Sequence, residues 1–102
     1  MPAPITTVKG GTVKEFSVEE HLRRRVKAMG GRAVKLSPEG NVGIQDRMVV
    51  LPGRLIFIEL KRPKGGRLAP LQQWWRDMLL SAGAEVHVCN TIAAVDRVLD
   101  GT

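Results

Sequence analysis

Residues 45–61, QDRMVVLPGRLIFIELK, constrain the fold more than any other stretch of the chain. Two apolar, β-branched runs flank Pro52-Gly53, a dipeptide suited to a tight turn. The segment therefore predicts an antiparallel hairpin with strands at 45–51 and 55–61. Leu55-Ile56-Phe57-Ile58 is a continuous apolar run, the pattern of a buried strand, yet it leads directly into Glu59 and Lys61. Side chains two apart share a face, so Phe57, Glu59 and Lys61 point one way while Ile58 and Leu60 point the other. Counted outward from the turn, Asp46 is seven residues from Gly53 and Glu59 is seven from Pro52. That register makes the two carboxylates cross-strand neighbours at the open end of the hairpin.

Like charges in that position repel unless a cation lies between them. A hard divalent cation such as Mg²⁺ is suited to it, taking one or two carboxylates and completing its shell with water and substrate phosphate. Lys61 shares the Glu59 face, where an ammonium group can hold or help deprotonate a water attacking phosphorus and offset charge on the phosphate. Taken alone, Glu-x-Lys at a strand end more often means a solvated ion pair. Asp46 in register makes the two readings about equal.

The rest of the chain supplies the order α-β-β-β-α-β-α, an α/β fold. Residues 1–16, with two prolines and Gly10-Gly11, read as a loosely ordered lead-in, and residues 17–102 as a single domain. Ser17 with Glu20 has capping-box spacing, and Val18, Leu22, Val26 and Met29 form an apolar stripe that predicts a helix over 18–29, stopped by Gly30-Gly31. Residues 32–37 alternate as a short strand, and Pro38 to Asn41 is turn material. Pro70 suits the first position of a second helix, lined on one side by Leu71, Trp74, Trp75, Met78 and Ala82 and ended by Gly83. Residues 85–89 predict a further strand, and 92–99 a closing helix capped by Thr91 or Asn90.

With 102 residues, 43% of them hydrophobic, the chain can bury one modest core. Its net charge of +6 favours a polyanionic partner over a neutral metabolite. Arg23, Arg24, Arg25 and Lys27, with Arg62, Lys64 and Arg67 in the loop after the third strand, would form a surface that tracks phosphates. For the first-helix arginines a merely solvated face is an equal reading. Lys35 is within reach of a phosphate or simply exposed on its strand. Trp74 and Trp75 could stack on bases, but adjacent large aromatics fit better with one in the core and one at a subunit contact. His21 and His87 lack partners at zinc-ligand spacing, and Cys89, the single cysteine, reads as buried and inert in a reducing interior. No apolar run approaches the length of a membrane span, which points to a soluble intracellular protein.

The run GIQDRMVVLPGRLIFIELKRPKGGRLAPLQQWW, followed by AGAEVHV and preceded by EEHLRRRVKAMGGRAVKL, resembles the virus-type replication-repair nuclease (VRR-NUC) domain of the PD-(D/E)XK nuclease superfamily, over about residues 17 to 98. That family's pattern is G-x-P-D-R, a hairpin, an apolar residue followed by x-E-[LVI]-K, then G-x-L-S-x-x-Q-x-x-W and a glycine before the next strand. The resemblance implies a restriction-endonuclease-like αβββαβ core, a mixed central sheet flanked by helices. It further implies that Asp46 and Glu59 bind Mg²⁺ or Mn²⁺ with the Leu60 carbonyl as a further ligand, that Lys61 is the catalytic lysine, and that Gln72 orients the site. Glu15, Glu19 and Glu20 are all available as the first-helix glutamate. Glu19 points along the Leu22 and Val26 direction and matches the family spacing. Two departures stand out: Gln45 replaces the proline before the aspartate, freeing a backbone dihedral, and Ala69 replaces an N-capping serine.

The function expected from this resemblance is a metal-dependent DNA endonuclease, leaving 5'-phosphate and 3'-hydroxyl ends. So small a domain has no separate sequence-reading module, which favours recognition of branched DNA, in the manner of a Holliday-junction resolvase. A homodimer with paired sites, encoded by phage or prophage and working in the bacterial cytoplasm, fits the stand-alone members of the family. The alternatives are a non-catalytic basic DNA-binding protein, with Asp46 and Glu59 only bracing the hairpin, and an exonuclease or accessory subunit of a replication-repair complex.

Overall fold

The computed structural model describes residues 11–36, 43–60 and 70–101, with side chains from Ser17 onward in the first span. The elements are α1 (Gly11–Ala28), β1 (Arg32–Lys35), β2 (Arg47–Leu51), β3 (Arg54–Glu59), α2 (Pro70–Ser81), β4 (Glu85–Val88) and α3 (Ile92–Asp100). They form a four-stranded sheet in the order β1-β2-β3-β4. β1 to β3 are antiparallel and β4 joins β3 in parallel, so the sheet is mixed as expected. The Pro52-Gly53 turn sets the hairpin register, pairing Leu51 with Arg54 and Arg47 with Ile58.

Alternation along β2 and β3 presents Val49, Leu51, Ile56 and Ile58 to one side, where they meet Val18, Leu22 and Val26 of α1 and Val95 and Leu99 of α3. Full burial of each such side chain contributes about 1.5–3 kcal/mol. α1 ends in a Schellman motif, in which Gly31 N–H donates to the Val26 carbonyl and Gly30 N–H to that of Lys27. Gly30 takes the left-handed φ of 86° that this closure requires. Thr91 caps α3, its Oγ1 accepting from Ala94 N–H at 3.0 Å.

Two expectations are corrected. α1 begins at Gly11, so residues 11–16 form its first turns rather than part of a loose lead-in, and Ser17 is a buried residue within the helix rather than its cap. The capping-box spacing from which the start was read falls inside the helix, whose stripe of Val18, Leu22 and Val26 packs into the core. In α2 no residue is buried, so neither tryptophan is in the core. Trp74 is 51% exposed and stacks edge-on against Trp75, their ring centroids 5.2 Å apart.

Candidate active site

Asp46 sits one residue before β2 and Glu59 closes β3. Extending the hairpin register one step past Arg47 and Ile58 sets Asp46 opposite Glu59, as the count from the turn expects. The paired ladder ends at Arg47 and Ile58, and beyond it Leu60 N–H donates to the Asp46 carboxylate at Oδ2 (3.1 Å). A backbone donor on one strand thus fixes the orientation of a carboxylate on the other. The Asp46 carbonyl accepts from Leu36 N–H (2.8 Å), and the Glu59 carbonyl from Cys89 N–H (2.8 Å), so both acids hang from backbone tied into the sheet. Burial raises the Cys89 thiol to about 11, so that side chain is a neutral packing element behind Glu59.

Beside Glu59 lies a cavity of about 230 Å³, also bordered by Gln45, Gln72, Arg76 and His87. Gln72 reaches it from the first turn of α2, and Gly43 explains how that turn comes so close. A Cβ at position 43 would stand 2.6 Å from Leu71 Cβ, and its φ of +91° suits glycine. The segment leading to Asp46 therefore passes directly against α2.

Glu19 takes a different path to the site. Its carboxylate bonds to Arg47, which is buried on the α1 side of β2, and Arg47 Nη1 in turn donates to the Asp46 carbonyl (3.2 Å). Sequence reasoning gave Arg47 no role, although it is the arginine of the G-x-P-D-R pattern and a cation at a core-facing position of an apolar strand. It also passed over Arg76 and His87 as neighbours of Glu59. Arg23 is exposed and paired with Glu20 at 3.1 Å. Arg25, expected among the phosphate-tracking cations, is instead bound to Asp96 and Asp100. Lys35, exposed at the end of β1, pairs in register with Arg47, next to Asp46. Lys61, Arg62, Lys64 and Arg67 lie outside the described residues.

The donor set fits a hard divalent cation. Asp46, Glu59 and the Leu60 carbonyl offer oxygens, and Gln45 adds a buried carbonyl oxygen with no hydrogen-bond partner. Among the described residues no three His, Cys, Asp or Glu side chains converge on a point. A site that relies on two carboxylates, water and phosphate does not need a third.

No family model matches the chain. "Putative nuclease p44" of Acyrthosiphon pisum secondary endosymbiont phage 1 is 38% identical over 80 residues, which span 78% of this chain and 85% of that protein. Among solved structures, a VRR_NUC domain superposes with a TM-score of 0.71 at 33% identity, covering 85% of this chain and 95% of the other. Motif order, sheet topology and these two likenesses agree: the chain belongs to the VRR-NUC nuclease family.

Proposed function

We propose that the chain is a DNA endonuclease dependent on Mg²⁺ or Mn²⁺, acting on branched DNA as a homodimer in the bacterial cytoplasm. What supports this reading is the hairpin register, which runs to Arg47 and Ile58 and leads outward into Asp46 and Glu59, with Leu60 N–H bonded to the Asp46 carboxylate. The phage relative's name, a nuclease, supports it.

Asp46 and Glu59 would hold the cation, with the Leu60 carbonyl as a further oxygen. When bound, a divalent cation neutralises charge on the scissile phosphate and makes an attacking water more acidic. Lys61 orients that water and offsets charge at phosphorus, and Gln72 orients the site from α2. Glu19 is a positioning residue that acts through Arg47 on the backbone of Asp46.

Two surface features support the partners. Arg23, Arg24, Lys27 and Arg32 border an open groove of about 460 Å³ between α1 and β1. At ~3.3 Å per strand residue, Arg32 stands about 10 Å along β1 from Lys35, roughly three base pairs along a duplex. Leu71, Trp74 and Met78 form an exposed apolar ridge on α2, which suits a two-fold contact that would pair two sites.

The test is incubation with supercoiled plasmid and Mn²⁺, with and without chelator, followed by four-way junctions. Nicking that chelator stops is expected, with Asp46→Asn or Lys61→Ala lowering the rate about 10²–10⁴-fold while leaving the fold intact. A protein that shifts DNA but never cuts it would be a binder only. Equal turnover by either variant would refute that residue's role, and a monomer by light scattering that cuts junctions at full rate would remove the dimer.

A further inference from the structure

One buried polar side-chain atom among the described residues has no partner, and it belongs to the residue before Asp46. Gln45 is only 4% exposed, and its Oε1 accepts no hydrogen bond. A buried carbonyl oxygen in that state costs about 1–3 kcal/mol. Native chains rarely leave one so unless an unseen ion or water, or a functional demand, accounts for it. Gln45 borders the same cavity as Glu59 and Gln72. Its chain neighbour Asp46 is anchored at Oδ2 by Leu60 N–H, which leaves Oδ1 for another partner. The cavity's own donors do not satisfy the amide: Arg76 is exposed on α2 and makes no bond to it, and His87 Nε2 is engaged with Glu85 at 3.3 Å.

We infer that the side-chain carbonyl of Gln45 is an additional oxygen donor toward the divalent cation, beside Asp46 and Glu59. The inference rests on the cation-dependent reading above. A neutral amide oxygen raises the number of hard donors without adding a third negative charge to two carboxylates that already repel each other. The terminal amide torsion of glutamine is broad and soft, so Oε1 can turn toward the cavity while the backbone stays in place. Without the ion the oxygen is left buried and unpaired, and with it the deficit is removed. Binding and stability should therefore respond in opposite directions when the amide is deleted.

That opposition is the test. Mn²⁺ affinity is measured by electron paramagnetic resonance of the free ion, and the Tm is recorded without metal, for the full chain and for Gln45→Leu, Gln45→Glu and Asp46→Asn. Gln45→Leu alters no charge, so long-range electrostatics cannot account for its effect. It is expected to weaken Mn²⁺ binding by about tenfold or more, the range found for supporting groups of metal sites, with the metal-free Tm unchanged or raised. Gln45→Glu should bind Mn²⁺ more tightly than the parent. If Asp46→Asn loses the ion while Gln45→Leu keeps the parent affinity, the inference is overturned and the two-carboxylate site stands. If Gln45→Leu is poorly folded, an unchanged affinity in Gln45→Glu overturns it equally. A parent chain that binds no Mn²⁺ removes the cation-dependent reading and this inference together.

Discussion

Arg47 links the fold to the candidate site. Its guanidinium is buried, so its pairing with Glu19 supports a charge that water does not reach. Removing one member of a buried pair typically costs 3–5 kcal/mol. Glu19 keeps about a third of its side chain in solvent, so the low end applies. Glu19→Ala should therefore lower stability by about 3 kcal/mol in urea unfolding. Adding Arg47→Met should recover most of that loss, because replacing both charges by apolar groups is often close to neutral. The hairpin register that leads into Asp46 and Glu59 was legible in the sequence, because strand alternation and a tight turn leave little freedom in register. Arg47 was not, because its partner lies 28 residues away on another element.

α1 and α3 are joined by more than apolar contact. His21 Nε2 lies 2.7 Å from Asp96 Oδ1, and Arg25 donates to Asp96 at 2.9 Å and to Asp100 at 3.0 Å, clamping the two helices. The His21 hydrogen bond, and then that of Arg25, hold the Asp96 carboxyl below its ordinary 3.8. As pH falls, the unfolded chain takes up that proton before the folded one. The clamp's contribution is thus intact above about pH 4 and is lost as pH drops through the lower folded value. Thermal melts across this acid range should show a stability decline that Asp96→Asn flattens, and an unaltered acid limb in that variant would dismiss the clamp. The sequence marked His21 as a lone histidine because its partner arrives only when α3 docks. Helix α2 was misjudged for a related reason: periodicity reveals an apolar stripe but not whether anything covers it. The start of α1 was hidden because the capping-box spacing of Ser17 and Glu20 imitates an N-terminus inside a helix that begins at Gly11.

Basic side chains gather in the groove between α1 and β1, whose acid Glu20 pairs with Arg23. Acids from two strands gather at the open end of the β2–β3 hairpin, while Arg23, Arg24, Lys27 and Arg32 line that groove at the far end of β1. Arg23 is engaged with Glu20, leaving Arg24, Lys27 and Arg32 with no ion pair among the described residues. If this groove follows a duplex, Arg24→Ala with Lys27→Ala should weaken DNA binding about equally for all sequences. The variant should also reduce the slope of log K against log salt by ~0.9 for each phosphate it no longer neutralises. Fluorescence anisotropy over a salt series reads that slope, and an unchanged slope would place the duplex elsewhere. No helix among the described residues is long and apolar enough to cross a membrane.

Local rules, read from residue order alone, were enough for the element sequence and the hairpin register. Each depends on periodicity or on a turn a few residues long. The tertiary structure decided which polar groups are buried and which meet. Arg47 with Glu19, His21 with Asp96 and the unpaired amide of Gln45 all depend on segments distant in sequence coming together. Burial and partnership are properties of packing, and no window along the chain encodes them.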